Sequence, residues 1–256
     1  MGLKRLAFHR EDLVAACDEL EIPRIRNLGD ITYSFRFRKE LPESIQKTAP
    51  AGAEWIIVGS GIANYEFRLA APGKVSPNPN LINLSIPDST PEILKHYAAG
   101  RDEQALLARV RYNRLIDTFT GLTCYSVQNH LRTTVESIGQ IEIDEFYVGI
   151  DRTGVNYVLP IQAKSPGDRF GIVQVIQDLT FCNLKYPEAI CRPLAFMFVS
   201  TNEVAAIELA VVEEDEILRL SVVDERHYKL VSHTEISKDE LISRKNGHLG
   251  LDFSSK

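Results

Sequence analysis

The chain has 256 residues, 44% of them hydrophobic and 25% charged, with a formal net charge of −6. That length allows one large domain or two modest ones, and no window reaches the ~18 uninterrupted apolar residues of a membrane-spanning helix. Excess acid gives no general affinity for nucleic acid, because net charge acts through solubility and long-range steering, so any such surface has to be built locally.

The start, Met1 to His9, runs into Arg10-Glu11-Asp12 and is too short and too charged for a signal peptide. Leu6 stands where a myristoylation pattern has Ser or Thr. Residues 11–20 carry a short helical pattern. Ile31 to Arg38 alternates in class and predicts a half-buried strand, with Arg36 and Arg38 on one face and Tyr33, Phe35 and Phe37 on the other. Glu54 to Gly59 and Ala63 to Leu69 read as strands joined by a tight turn at Gly59-Ser60-Gly61. Ala70 to Ser89 is rich in Pro, Asn and Ser and reads as irregular. It marks the expected boundary between a β-rich N-terminal region, 1–90, and a second unit, 91–256.

Asp102 to Thr120 gives the clearest helix, with Ala105, Ala108, Tyr112, Leu115, Ile116 and Phe119 in one stripe and Gly121 placed to end it. Strands follow at 122–127, 131–138, 140–150 and 155–164, with turns at Gly139-Gln140 and at Asp151 to Gly154. A second helix spans Phe170 to Leu184, its apolar face formed by Ile172, Val175, Ile176 and Leu179. Pro193 to Val199 is a buried-type strand, two or three more lie between Ala205 and Val231, and Ser237 to Lys256 reads as a short helix and a loose end. The strand ending at Lys164, the second helix and the Pro193 strand predict a crossover with a parallel pair, right-handed by the usual rule.

Several chemistries are disfavoured. Cys17, Cys124, Cys182 and Cys191 form no CxxC pair, and the six histidines show no HxH or HExxH spacing. Zinc and a disulfide framework are therefore not expected, and scattered thiols fit a reducing cytoplasm. Gly59-Ser60-Gly61 lacks the lysine of a P-loop, and no GxSxG is present.

Two strands carry the polar groups that could work together: 139–149, with Glu142 and Asp144, and 157–164, with Gln162 and Lys164. Residues two apart on a strand share a face, so in a hairpin these four side chains could converge. A hard divalent cation takes oxygen ligands. Asp144 offers a carboxylate, Gln162 an amide oxygen and Ala163 a backbone carbonyl, and Glu142 or Glu103 is a candidate further acid. Such a cation polarises a phosphate and acidifies a bound water, and Lys164 could stabilise the charge that develops. Each residue also has an ordinary reading. Glu142 fits a solvated strand position, Lys164 a strand end, Gln174 and Gln177 a wet helix face, and Glu103 a first-turn acid favoured by the helix dipole.

A carboxylate on one strand, Gln162-Ala163-Lys164 on the next and a glutamine-bearing helix after it resemble the PD-(D/E)XK nuclease superfamily, in a Gln-x-Lys form similar to its Mrr-like branch. The resemblance covers about Glu103 to Ser200. It implies an α/β (α+β) fold with a restriction-endonuclease-like core, a central mixed sheet flanked by helices. It further implies Asp144 as the metal-binding aspartate, Gln162-Ala163-Lys164 as the catalytic triplet, Gln177 or Gln174 near the scissile phosphate and Glu103 as an additional acid. The expected cofactor is Mg2+, with Mn2+ as a substitute. The expected activity is metal-dependent hydrolysis of double-stranded DNA by a restriction-type or defence endonuclease, acting as a homodimer because two strands need two active sites. Ile143 stands where most members have proline, and Gln162 where most have an acid, which leaves a non-catalytic nucleic-acid-binding or assembly protein as the alternative. Backbone phosphates need clustered cations. The candidates are Arg36 and Arg38 in the N-terminal region, and Arg109, Arg111, Arg114, His130 and Arg132 around the core.

Overall fold

The computed structural model describes residues 4–24, 26–97, 102–135, 139–165 and 170–249. The chain opens with β1 (Arg5–His9) and α1 (Arg10–Glu19), whose start is capped by His9: its ring accepts from the Glu11 amide while the Asp12 carboxylate accepts from the His9 amide. Next come α2 (Leu28–Phe37), α3 (Glu43–Gln46), β2 (Glu54–Gly61), β3 (Asn64–Ala70), β4 (Asn83–Pro87) and α4 (Glu92–Tyr97).

The strand expected over 31–38 is the helix α2, so the N-terminal region mixes helices with strands rather than being β-rich. Leu28, Ile31 or Thr32 and Phe35 also recur at helical spacing, and packing decides between the two periods. Thr32 is buried, and Phe35 packs against a cluster of Leu41, Trp55, Ile57 and Leu69. The Tyr33 and Phe37 rings stand 5.0 Å apart, a contact natural to positions i and i+4 of a helix, whereas a strand would separate them by about 13 Å. Arg36 and Arg38 therefore do not share a face. Arg36 lies half-buried over the Phe37 ring and Arg38 is exposed over Tyr33.

The β2–β3 hairpin turns at Ile62-Ala63, just beyond the expected Gly59-Ser60-Gly61, which instead carries a register shift inside β2. The irregular 70–89 stretch contains β4, which pairs in parallel with a strand far along the chain.

In the middle of the chain lie α5 (Glu103–Tyr112), α6 (Leu115–Thr120), β5 (Thr123–Val135), β6 (Gly139–Ile150), β7 (Asn156–Lys164) and α7 (Ile172–Lys185). The rest is β8 (Ile190–Cys191), β9 (Leu194–Phe198), β10 (Glu203–Glu214), β11 (Ile217–Val231), a short 3-10 turn and α8 (Lys238–Leu249). The single helix expected over 102–120 is broken at Arg114, which adopts a left-handed φ of 49°. Asn113 fastens the break, its amide donating to Thr90 Oγ1 at 3.1 Å and to the Arg109 carbonyl at 3.0 Å. Gly121 ends α6 in the left-handed region, as its position predicts. The two strands expected at 122–127 and 131–138 join into β5 across a bulge between Ser126 and Gln128, and residues 136–138 lie outside the described residues. Gly139 and Gln140, expected in a turn, begin β6.

Among the described residues all eleven strands belong to one mixed sheet, whose main path runs β1-β3-β11-β10-β9-β7-β6-β5. β5, β6 and β7 form an antiparallel meander; α7 then crosses over, and β9 returns parallel to β7. The same sheet passes through the region around residue 90, because β3 and β4 both pair with β11.

Helices cover the sheet on both faces. Leu106, Leu107 and Val110 of α5 and Leu115, Ile116 and Phe119 of α6 pack on Tyr147, Leu159, Ile161, Leu194 and Phe196. On the other face, Phe181 and Cys182 of α7 meet Ile141, Ile143, Phe146 and Val158, while Val175 meets Ala195, Met197 and Ile207. β9 thus sends Leu194 and Phe196 one way and Ala195 and Met197 the other, which explains its uninterrupted apolar sequence. Phe196→Ala would open a cavity in this layer and cost about 3–5 kcal/mol. Urea unfolding measures it, and a loss under about 1 kcal/mol would contradict this packing.

Candidate active site at the end of the central strands

The antiparallel ladder between β6 and β7 stops at the pair Glu145 and Ile161. Beyond it, Gln162, Ala163 and Lys164 pair with β9 on their other side, and side chains replace the lost ladder. Asp144 Oδ2 accepts the Ala163 amide proton at 2.8 Å, and Gln162 Nε2 faces the Glu142 carbonyl at 3.3 Å. A strand residue turns its N–H and C=O to the same side, so the Ala163 carbonyl points into the gap that Asp144 closes.

Lys164 stands at the mouth, its side chain 21% exposed, with Nζ 3.8 Å from Glu103 Oε1 and 5.7 Å from the Phe170 ring centroid. Glu103, on the first turn of α5, thus reaches the lysine of the triplet. Gln162 is buried. Its Oε1 accepts from Gln174 Nε2 at 2.6 Å, and its Nε2 donates to Asp178 Oδ2 at 3.0 Å. Gln177 donates to the Gln140 carbonyl at 2.6 Å and so secures the start of β6. Both helix glutamines face the sheet rather than water, and Gln174 is the one that meets the triplet.

Asp178 is the residue that sequence reasoning passes over. It is only 1% exposed and lies on the apolar face of α7, with Val175, Phe181 and Cys182 within four residues of it. An acid in that setting was the available signal. Burial pushes its carboxyl well above the usual carboxylate range, and Asp144 adds to the rise, while the Gln162 hydrogen bond and Lys164 oppose it. Asp144 is also raised by burial, against the Ala163 amide and Lys164.

Glu142 does not turn its carboxylate into the site. It sits directly across from Arg132 in the β5–β6 ladder, and Oε1 accepts from that guanidinium at 2.6 and 3.0 Å. Glu142 contributes only its carbonyl.

The expected basic surface is divided. Arg109 is 9% exposed, donates to the Thr201 carbonyl at 2.8 Å and lies 5.7 Å over the Phe198 ring. It is an interior residue, not a solvated one, because it shares a helix face with the buried Ala105, Leu106 and Asn113. Arg111 is more open, with Nε 3.0 Å from the buried Glu145 Oε1. Arg114 is exposed and pairs with Asp117 at 2.6 Å. His130, exposed on β5, shares a hydrogen bond with Gln104 at 3.0 Å. Arg132 pairs with Glu142, and Arg38 is exposed at the C-terminal cap of α2.

Asp144, the Gln162 amide oxygen and the Ala163 carbonyl are hard oxygen donors and suit a hard divalent cation in type. Carboxylates are scarce: among the described residues no group of three or more His, Cys, Asp or Glu gathers in a way that could hold a metal ion. No family model, curated protein or solved structure matches the chain.

Glu145 offers a test of the site's electrostatics. Burial, ahead of the opposing effect of Arg111, raises its carboxyl above the ordinary glutamate value of 4.5. A raised folded-state pKa gives stability that is present below about pH 4 and is lost as pH climbs through the folded value. Relative to wild type, Glu145→Gln should therefore gain stability between pH 4 and pH 8. Urea unfolding at both pH values, in chelator, measures the difference, and an unchanged difference would refute the burial argument.

Proposed function

We propose that this chain is a metal-dependent endonuclease of the PD-(D/E)XK type that hydrolyses double-stranded DNA. The observation that carries the reading is the meeting of Asp144 with Gln162-Ala163-Lys164 where the β6–β7 ladder ends, through the 2.8 Å contact from Ala163. The helix, three antiparallel strands, crossover helix and parallel strand around it support the same reading.

Asp144, Gln162 and Ala163 would hold Mg2+ or Mn2+. The bound cation supplies Lewis acidity and a water acidified toward hydroxide. The chain's own residues do the rest. Lys164 offers its ammonium to the charge that develops on the scissile phosphate, and Glu103 and the Phe170 ring keep that ammonium at the mouth. Gln174 holds Gln162, and Gln177 holds β6 through Gln140. Arg38, Arg111 and Arg132 would supply the positive charge, and His130 a further hydrogen-bonding group, toward backbone phosphates, whose contacts position a duplex without reading its sequence. A homodimer would supply one site per strand, and defence against foreign DNA is the role this activity suits.

One observation favours the non-catalytic alternative: both ends of the Gln162 amide are already hydrogen-bonded. Incubating mixed-sequence plasmid DNA with Mg2+ or Mn2+ separates the two readings. Wild type should cut, and Asp144→Ala and Lys164→Ala should each lose about 10²–10³-fold in rate. Equal cutting by all three proteins would refute the site. Intact DNA binding without cutting by wild type would establish the non-catalytic reading.

A further inference from the structure

We infer that Asp178 is a positioning residue for the proposed metal site: from α7 it fixes the Gln162 amide so that its oxygen, not its nitrogen, serves as the donor. The inference rests on the metal-dependent reading above and adds to it a residue one hydrogen bond behind the triplet.

The amide's neighbours leave it one orientation. Around Nε2 stand three oxygens: Asp178 Oδ2 at 3.0 Å, Asp178 Oδ1 at 3.3 Å and the Glu142 carbonyl at 3.3 Å. Beside Oε1 stands one donor, Gln174 Nε2, at 2.6 Å. Turned round, the amide would set its oxygen against three oxygens and its nitrogen against another amide nitrogen. Such a reversal leaves buried polar groups unpaired, because the Glu142 carbonyl only accepts and the Gln174 amide nitrogen only donates, whichever protonation state Asp178 holds. Orientation matters because only the oxygen can ligate a hard cation. Gln174 uses one of the two lone pairs of that oxygen and leaves the other available.

Position supports the same role. Asp178 stands one helical turn beyond Gln174 on the face of α7 that covers β7, so one helix face grips both ends of a single side chain. Nearly complete burial of an acid is costly unless its oxygens are hydrogen-bonded, and the Gln162 amide is the group that meets them. A group that orients a metal ligand typically changes metal affinity 10–100-fold when removed.

Asp178→Asn keeps shape and volume but supplies an amide that can donate to Gln162 Oε1, so it permits the reversed orientation. The exchange of Gln162→Glu combined with Asp178→Asn restores a complementary pair with the carboxylate on the strand. Gln162→Glu alone sets two carboxyl groups against each other. The experiment measures Mn2+ binding to the full-length, metal-stripped protein by electron paramagnetic resonance, with plasmid cleavage in parallel and thermal unfolding to verify each fold. Asp178→Asn should bind Mn2+ 10–100-fold more weakly than wild type. Gln162→Glu should bind no better than Asp178→Asn, and the double variant should recover most of the wild-type affinity. If Asp178→Asn does not fold, the double variant decides: recovered Mn2+ binding supports the role, and folding without Mn2+ binding overturns it. Unchanged Mn2+ affinity in a folded Asp178→Asn overturns the inference while leaving the nuclease reading intact, provided wild type binds and cuts. Wild type that neither binds Mn2+ nor cuts overturns the nuclease reading itself, and the positioning role with it.

Discussion

The candidate site depends on a single hydrogen bond, from the Ala163 amide to the Asp144 carboxylate. An antiparallel ladder that stops in the interior leaves a donor unpaired, and an unpaired buried donor is costly. Asp144 meets that need with a side chain where a backbone carbonyl would ordinarily stand. The exchange also brings a carboxylate next to the strand that carries Gln162 and Lys164 and leaves the Ala163 carbonyl facing the same gap. Structural completion of β7 and assembly of the polar cluster are one event.

Around that bond the fold supplies two walls. Helix α5 brings Glu103 to Lys164 with its first turn and buries Leu106, Leu107 and Val110 with the next. Helix α7 brings Gln174, Gln177 and Asp178 to the opposite face and buries Val175 and Phe181 around them. Each helix is anchored by apolar contacts, so its polar residues are held by packing. The parallel pair β7–β9 lies between, apolar on both faces, and the polar residues collect where its strands end.

Much of this was legible in the sequence because periodicity fixes faces. The pattern over 155–164, the helix after it and the apolar run at 193–199 identify the crossover, and spacing by two brings Asp144 to the Gln162-to-Lys164 strand. What escaped reading did so for specific reasons. Residues 28–37 satisfy both a two-residue and a helical period, and the contacts of Phe35 and Thr32 settle the choice. Arg109 reads as solvated when the apolar stripe is drawn through Ala105, Ala108 and Tyr112, whereas the buried face of α5 runs through Leu106, Val110 and Arg109 itself. Glu142 has the right parity for the site but stands opposite Arg132, a cross-strand partner visible only once the register is known. Asp178 was missed because the face of its helix was drawn from the apolar residues alone.

The pairing of β3 with β11 joins Leu69 to Ile217, and this has a consequence for the order in which the chain acquires its shape. At synthesis rates of about 5–20 residues per second, a ribosome that has made Leu69 needs roughly 7–30 s more to make Ile217. During that interval the β2–β3 hairpin has emerged without its neighbour in the sheet. Elements α5 to β9 are complete before β11 begins, and their contacts are closer in sequence, so loop closure opposes them less. The polar cluster therefore closes through shorter loops, whereas the pairing of β3 with β11 has to wait until Ile217 has been made.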